Sequence, residues 1–148
     1  MKESKISDLI EKVRSYYPAA DGELIRAAYE FTAKVHHGQT RLSGEPYLIH
    51  PMAVADIITE LKLDVPSVLG ALLHDTVEDT LATLDEIRSL FGKEVAALVD
   101  GVTKLGRPNF TSNEEKQAEN FRKMLLAMGK DVRVILIKLA DRVHNMRT

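Results

Sequence analysis

Apolar residues recur along this chain at intervals of three and four, the spacing of one helix face, and almost nowhere in strict alternation. Residues 3–16 place Ile6, Leu9, Ile10 and Val13 on one side of a short amphipathic helix. Asp21 can accept from free amide groups at a helix start, and predicts a second helix to about His37 with the stripe Leu24, Ala28, Phe31 and Val35. Residues 38–49 hold Gly38, Gly44 and Pro46 and lose the period, so they form a loop or small hairpin. Pro51 suits a first helical position and predicts a helix to about Leu61; Pro66 opens the next. Thr83 and Glu86 have capping-box spacing ahead of Ile87 and Leu90, and Gly92 stops that helix. Residues 93–102 continue as another helix, and 106–112 are polar and irregular. A helix follows over 113–128, broken at Gly129, and Asp131 can cap the last one. Residues 132–140 are apolar almost all round, interrupted by Arg133 and Lys138, which predicts a central position. The expected fold is all-α, a bundle of about eight helices with one small β-hairpin near residues 38–49.

A length of 148 residues supports one domain with a real core. Trp is absent and aromatics are few, so that core must rest on Leu, Val, Ile and Ala. A net charge of −2 argues against a dedicated nucleic-acid binder, while a local basic patch could still hold a small anion. The lack of Cys excludes disulfides and thiolate metal sites, so any metal must be held by nitrogen and oxygen. The N-terminus has no apolar signal core, and no apolar run is long enough to span a bilayer. These are the features of a soluble cytosolic protein that does not enter membranes.

The chemistry concentrates in the run Leu72-Leu73-His74-Asp75-Thr76-Val77-Glu78-Asp79, three carboxylates and an imidazole directly after an apolar stretch. On a continuous helix, His74 would share a face with Glu78, and Asp75 with Asp79. Charged groups next to a buried run need partners, and a divalent metal with a phosphate substrate would supply them. His50 sits at another helix start, and Asp141 ends the apolar run of the last helix with Asn145 one turn later. His50, His74, Asp75 and Asp141 make a first shell suited to Mn²⁺ or a similar first-row ion. Singly, each has a plainer explanation: His50 as a helix cap or half-buried histidine, Asp141 as an ion-pair partner of Arg142. The histidines His36, His37 and His144 are expected to be structural or solvent-facing. In the 38–49 loop, Arg41 could stack on a purine or fork onto phosphate, or be incidental to a polar loop; Ser43 lies nearby. Spacing alone thus points to a metal phosphohydrolase.

The segments His36-His37-Gly38-Gln39, Ser43-Gly44-Glu45-Pro46-Tyr47 with His50-Pro51, His74-Asp75-Thr76-Val77-Glu78-Asp79, Val102-Thr103-Lys104, Phe121-Arg122-Lys123-Met124-Leu125 and Lys138-Leu139-Ala140-Asp141-Arg142-Val143-His144-Asn145-Met146-Arg147-Thr148 occur in that order. Together they resemble the HD-type hydrolase domain of RelA/SpoT homologues, the enzymes of the alarmone (p)ppGpp. The resemblance runs from about Ile25 to the chain end and implies the helical HD fold with a small hairpin. It implies His50, His74, Asp75 and Asp141 as Mn²⁺ ligands, with Glu78 and Asp79 positioning and activating water. It also implies Arg41 as the guanine-stacking residue with Ser43 nearby, and Asn145 and Thr148 as nucleotide contacts. Leu42 stands where some members carry a basic residue. The implied activity is 3′-pyrophosphohydrolysis of guanosine tetra- or pentaphosphate to GDP or GTP. Alternatives are an HD phosphohydrolase of another nucleotide and a catalytically silent regulatory module. The chain ends soon after Asp141 without a Gly or Pro stop, where the resembled domain continues with further helices. Residues 1–148 are therefore expected to be one HD phosphohydrolase domain, truncated at its C-terminus.

Overall fold

A computed structural model of the chain describes residues 2–37, 47–80, 82–106 and 132–147. It carries eight helical segments among the described residues, seven of them eight residues or longer and one a single turn. They are α1 (Lys2–Tyr16), α2 (Gly22–Val35), α3 (Ile49–Glu60), α4 (Val65–Leu73), α5 (Thr76–Asp79), α6 (Leu84–Phe91), α7 (Lys93–Gly106) and α8 (Val132–Arg147). No strand occurs among the described residues, and the fold is all-α. Most of the expected hairpin at 38–49, the expected helix at 113–128 and the cap at Asp131 lie outside the described residues; Ile49 already opens α3.

Local signals hold where a side chain meets a free amide close in sequence. Asp21 accepts from the amides of Glu23 and Leu24 at 3.1 and 3.2 Å and starts α2. Thr83 and Glu86 form both halves of the capping box on α6. Gly92 ends α6 at φ 98°, in the left-handed region that glycine tolerates, and α7 begins one residue later. The α1 residues Ile6, Leu9, Ile10 and Val13 are all buried, as their spacing predicts.

Three expectations shift. Pro51 is the third residue of α3 rather than the first, because Ile49 and His50 already belong to the helix. Its missing N–H still falls among the amides that no helical carbonyl serves. The buried face of α2 is Ile25, Ala28, Tyr29 and Thr32, with Leu24 and Phe31 only partly covered. A polar Thr32 in the stripe hides this face from a hydrophobicity pattern. Finally, α8 is not the central helix. Val134, Ile135, Ile137 and Ala140 are buried, but Val132, Leu139, Val143 and Met146 are exposed.

The centre is α4, where every residue from Ser67 to Leu73 is buried. It packs against α2, α3, α7 and α8. Gly70 lets two of these come close: a Cβ there would lie 3.1 Å from Ile137 of α8 and 3.4 Å from Leu98 of α7. Where α7 meets α8 directly, a Cβ at Gly101 would lie 2.8 Å from Val134. At the start of α4, Asp64 uses one carboxylate oxygen to cap Ser67 and the other to bind Arg133 of α8 at 2.8 Å. Arg133 also reaches Glu94 of α7 at 2.8 Å, so one guanidinium ties three helices together.

The other end of α4 terminates inside the protein, and side chains serve its last carbonyls. Thr32 Oγ1 donates to Leu72 O at 2.9 Å, Thr76 Oγ1 to Leu73 O at 2.8 Å, and the His74 ring Nδ1 to Ala71 O at 2.6 Å. Replacing Thr32 by Val keeps shape and removes one of these donors. T32V is expected to lose about 1–3 kcal/mol of stability in urea unfolding; an unchanged midpoint would show that Leu72 O does not depend on the hydroxyl.

Candidate metal centre

The helix α4 ends at Leu73, and His74 and Asp75 form a turn before the single helical turn α5. The run His74–Asp79 is therefore not one continuous helix, and the expected sharing of faces by His74 with Glu78 and Asp75 with Asp79 falls on side chains outside the described residues. The hydroxyl of Thr76 and the ring of His74 compete for the carbonyls that would carry the helix onward. The break leaves the His74 and Asp75 side chains turned to a common point.

Two more helices meet them there. His50, the second residue of α3, and Asp141, in the middle of α8, are both buried, with His74 buried beside them. His50 Nε2 lies 2.6 Å from Asp141 Oδ1, and His74 Nε2 lies 3.2 Å from the same oxygen. Asp75 Oδ2 stands 3.1 Å from His74 Nε2 and 3.8 Å from His50 Nε2. One donor atom from each of the four groups falls within 4.8 Å of every other. The four candidate ligands named from the sequence are thus brought together from α3, the α4–α5 turn and α8.

The surroundings orient these groups. His74 Nδ1–H donates to the Ala71 carbonyl, which can only accept, and this leaves Nε2 as the nitrogen facing the cluster. The Tyr47 hydroxyl donates to Asp75 Oδ2, and the Tyr47 ring stacks on His36 with centroids 4.3 Å apart. Lys138 Nζ lies 3.2 Å from Asp141 Oδ2, and Asn145 Nδ2 lies 3.4 Å from Asp141 Oδ1. On the far side of His50, its Nδ1 lies 2.7 Å from His144 Nδ1.

Burial disfavours a charged His74, but Asp75 and Asp141 outweigh it and raise the imidazole to about 10. Burial likewise opposes ionisation of Asp75, and the charge and hydrogen bond of His74, with the Tyr47 hydroxyl, lower it to about 2. Asp141 is also held below the usual carboxylate range: burial pushes upward, and the hydrogen bonds of His50 and His74 win. The proton on His74 Nε2 therefore sits between two carboxylates, at the place where a cation would be favoured.

The donor set fits a divalent ion. Two carboxylates and two neutral imidazoles carry a charge of −2, which one dication cancels. Ligands about 2.1 Å from one ion stand roughly 3–4.2 Å from one another, close to the spacing of these four groups. Nitrogen and carboxylate oxygen together suit first-row metals.

Not every sequence-derived residue is placed. Arg41, Ser43 and Thr148 lie outside the described residues, as do the side chains of Glu78 and Asp79, although α5 carries both positions directly after Asp75. Asn145 is described and lies beside Asp141. Of the histidines set aside, His37 is exposed, while His36 and His144 are buried next to the cluster. Tyr47, Lys138 and His144 had no assigned role. Their signal was available: Tyr47 is three residues before His50, and Lys138 and His144 are three residues either side of Asp141 on one helix face.

A model of the HD domain matches residues 28–148. A protein of Myxococcus xanthus named GTP pyrophosphokinase is 62% identical over 139 residues, covering 92% of this chain and 18% of that protein. The Escherichia coli bifunctional (p)ppGpp synthase/hydrolase SpoT is 54% identical over 140 residues, covering 95% of this chain and 20% of SpoT. The chain thus spans about a fifth of the length of these relatives. Among solved structures, a metazoan SpoT ortholog described as hydrolysing ppGpp superposes with a TM-score of 0.65 at 28% identity, covering 82% of this chain and 67% of that one. The family match takes in all four clustered residues and most of the bundle that positions them, and so the chain belongs to the HD-domain family, with its likeness there to SpoT and related (p)ppGpp synthase/hydrolases.

Proposed function

We propose that residues 1–148 act as an HD hydrolase domain that removes the 3′ pyrophosphate of (p)ppGpp, yielding GDP or GTP and pyrophosphate, with Mn²⁺ as cofactor in the cytoplasm. The observation that carries this is the convergence of His50, His74, Asp75 and Asp141 from three separate elements, in a chain 54% identical to SpoT over 140 residues. No helix among the described residues is long and apolar enough to cross a membrane.

In this proposal His50, His74, Asp75 and Asp141 hold the ion, which supplies Lewis acidity toward water and a phosphoryl oxygen. Glu78 and Asp79 follow Asp75 within one helical turn, and their carboxylates orient the attacking water and accept its proton. The water oxygen bonds to the phosphorus carried by the ribose 3′ oxygen, that P–O bond breaks, and the 3′ oxygen leaves with a proton. Arg41 stacks on the guanine, with Ser43, Asn145 and Thr148 as further nucleotide contacts.

The decisive experiment incubates the chain with ppGpp and Mn²⁺, then with chelator, and assays pyrophosphate and GDP, with dNTPs and cyclic nucleotides as competing substrates. Pyrophosphate that appears only with metal and ppGpp is expected; release from another nucleotide instead would reassign the substrate. Glu78→Gln and Asp79→Asn are expected to abolish turnover and keep Mn²⁺ binding, and loss of the metal in either would undo the division of roles. Arg41→Ala should raise KM for ppGpp without altering metal affinity, and an unchanged KM would remove Arg41 from the nucleotide site.

The site also dictates a pH dependence. With His74 raised to about 10 in the metal-free protein, Mn²⁺ must displace a proton at pH 7. Calorimetric titrations in buffers of different ionisation enthalpy should show close to one proton released, with affinity rising about tenfold per pH unit near neutrality; zero release would contradict the protonated cluster. In the metal-free protein the same shift stabilises the fold fully below the ordinary value of 6.5, and this contribution is lost as pH rises through about 10. The depressed Asp75 acts with the opposite sign: its contribution is present above 3.8 and lost as pH falls through about 2.

A further inference from the structure

We infer that His144 is a positioning residue for the metal centre: once an ion takes the place of the proton that His50 Nε2 gives to Asp141, His144 Nδ1 accepts the Nδ1 proton of His50 and so keeps Nε2 bare toward the ion. This inference rests on the proposal that His50, His74, Asp75 and Asp141 hold a divalent metal.

The two Nδ1 atoms are 2.7 Å apart, a hydrogen-bond distance that leaves room for one shared proton. Both rings are buried, stacked 29° from parallel with centroids 4.9 Å apart, so neither can swing away cheaply. The other nitrogen of His50, Nε2, points to the centre of the cluster and donates to Asp141 Oδ1 at 2.6 Å, so an ion seated there would take the place of that proton. A ligating Nε2 carries no proton, so neutral His50 must carry its proton on Nδ1. That N–H then needs an acceptor, and His144 Nδ1 is in place to be one.

His74 meets the same requirement with backbone alone. It sits at the C-terminal end of α4, where unserved carbonyls are plentiful, and its Nδ1 uses Ala71 O. His50 is the second residue of α3, at an end that offers amide donors rather than carbonyl acceptors. Its acceptor has to come from another element, and α8 provides it. Because residues three apart share a helix face, the turn of α8 that presents Asp141 as a ligand also presents His144 behind a second ligand. One rigid helix thus sets both the position of one ligand and the tautomer of another.

The test measures binding of Mn²⁺ alone to the full chain by titration calorimetry, with thermal melts alongside. His144→Phe keeps a ring and removes the acceptor; His144→Asn places an oxygen near the position of Nδ1. H144F is expected to weaken Mn²⁺ binding about 10–100-fold, with H144N recovering most of the loss whatever the two melting temperatures. Equal affinity of wild type and H144F would overturn the inference alone, and equal weakening in H144F and H144N would reduce His144 to packing and overturn it too. A wild-type chain that binds no Mn²⁺ would instead overturn the metal proposal and this inference with it. If H144F does not melt cooperatively, H144A with and without added imidazole decides: restored affinity supports the role, and no restoration overturns it.

Discussion

A helix that ends in the protein interior must find donors for its last carbonyls, and in this molecule α4 does so with side chains. Ala71, Leu72 and Leu73 receive the His74 ring, the Thr32 hydroxyl and the Thr76 hydroxyl in turn. An unserved buried carbonyl costs as much as a lost hydrogen bond, so these contacts constrain everything built on them. They stop the helix at Leu73, turn the chain through His74 and Asp75, and anchor the turn to α2 through Thr32. The carbonyl end of α4 also carries the negative end of the helix dipole, which favours a positive charge just beyond it. The cluster occupies that place.

The remainder of the bundle brings α3 and α8 to the same point. Gly70 and Gly101 allow α8 to approach α4 and α7 closely, and the Asp64–Arg133–Glu94 ion pairs join the starts of three helices. Those pairs lie at the surface and contribute little energy, about 0–1 kcal/mol each; the register of α8 is set by the apolar contacts of Val134, Ile137 and Ala140. With α8 seated, Asp141 enters between His50 and His74. In the metal-free protein a proton on His74 holds the two carboxylates together, and the raised His74 and lowered Asp75 and Asp141 express that one charge balance from its two sides.

Several elements were legible because their causes are local. The stripe of α1, the Asp21 cap, the Thr83–Glu86 box and the Gly92 stop each depend on residues within one or two turns of one another. The face of α2 was not legible, because Thr32 is buried for a hydrogen bond to Leu72, forty residues away, and no hydrophobic period records that. The central place of α4 over α8 was also hidden: both runs are apolar, and only packing leaves Leu139, Val143 and Met146 of α8 uncovered.

By itself the sequence determined an all-α fold class, most of the helix boundaries among the described residues, and the four side chains His50, His74, Asp75 and Asp141 whose chemistry suits a metal. Helical period and capping are short-range physics, and ligand chemistry belongs to residue type, so a linear reading reaches both. Only the tertiary structure decided that these four meet within 4.8 Å, that the His74–Asp79 run breaks instead of forming one helix, and that Tyr47 and His144 stand behind Asp75 and His50. Each of these depends on contacts between residues far apart in the chain, where burial and hydrogen-bond satisfaction are settled by the packed helices and not by spacing.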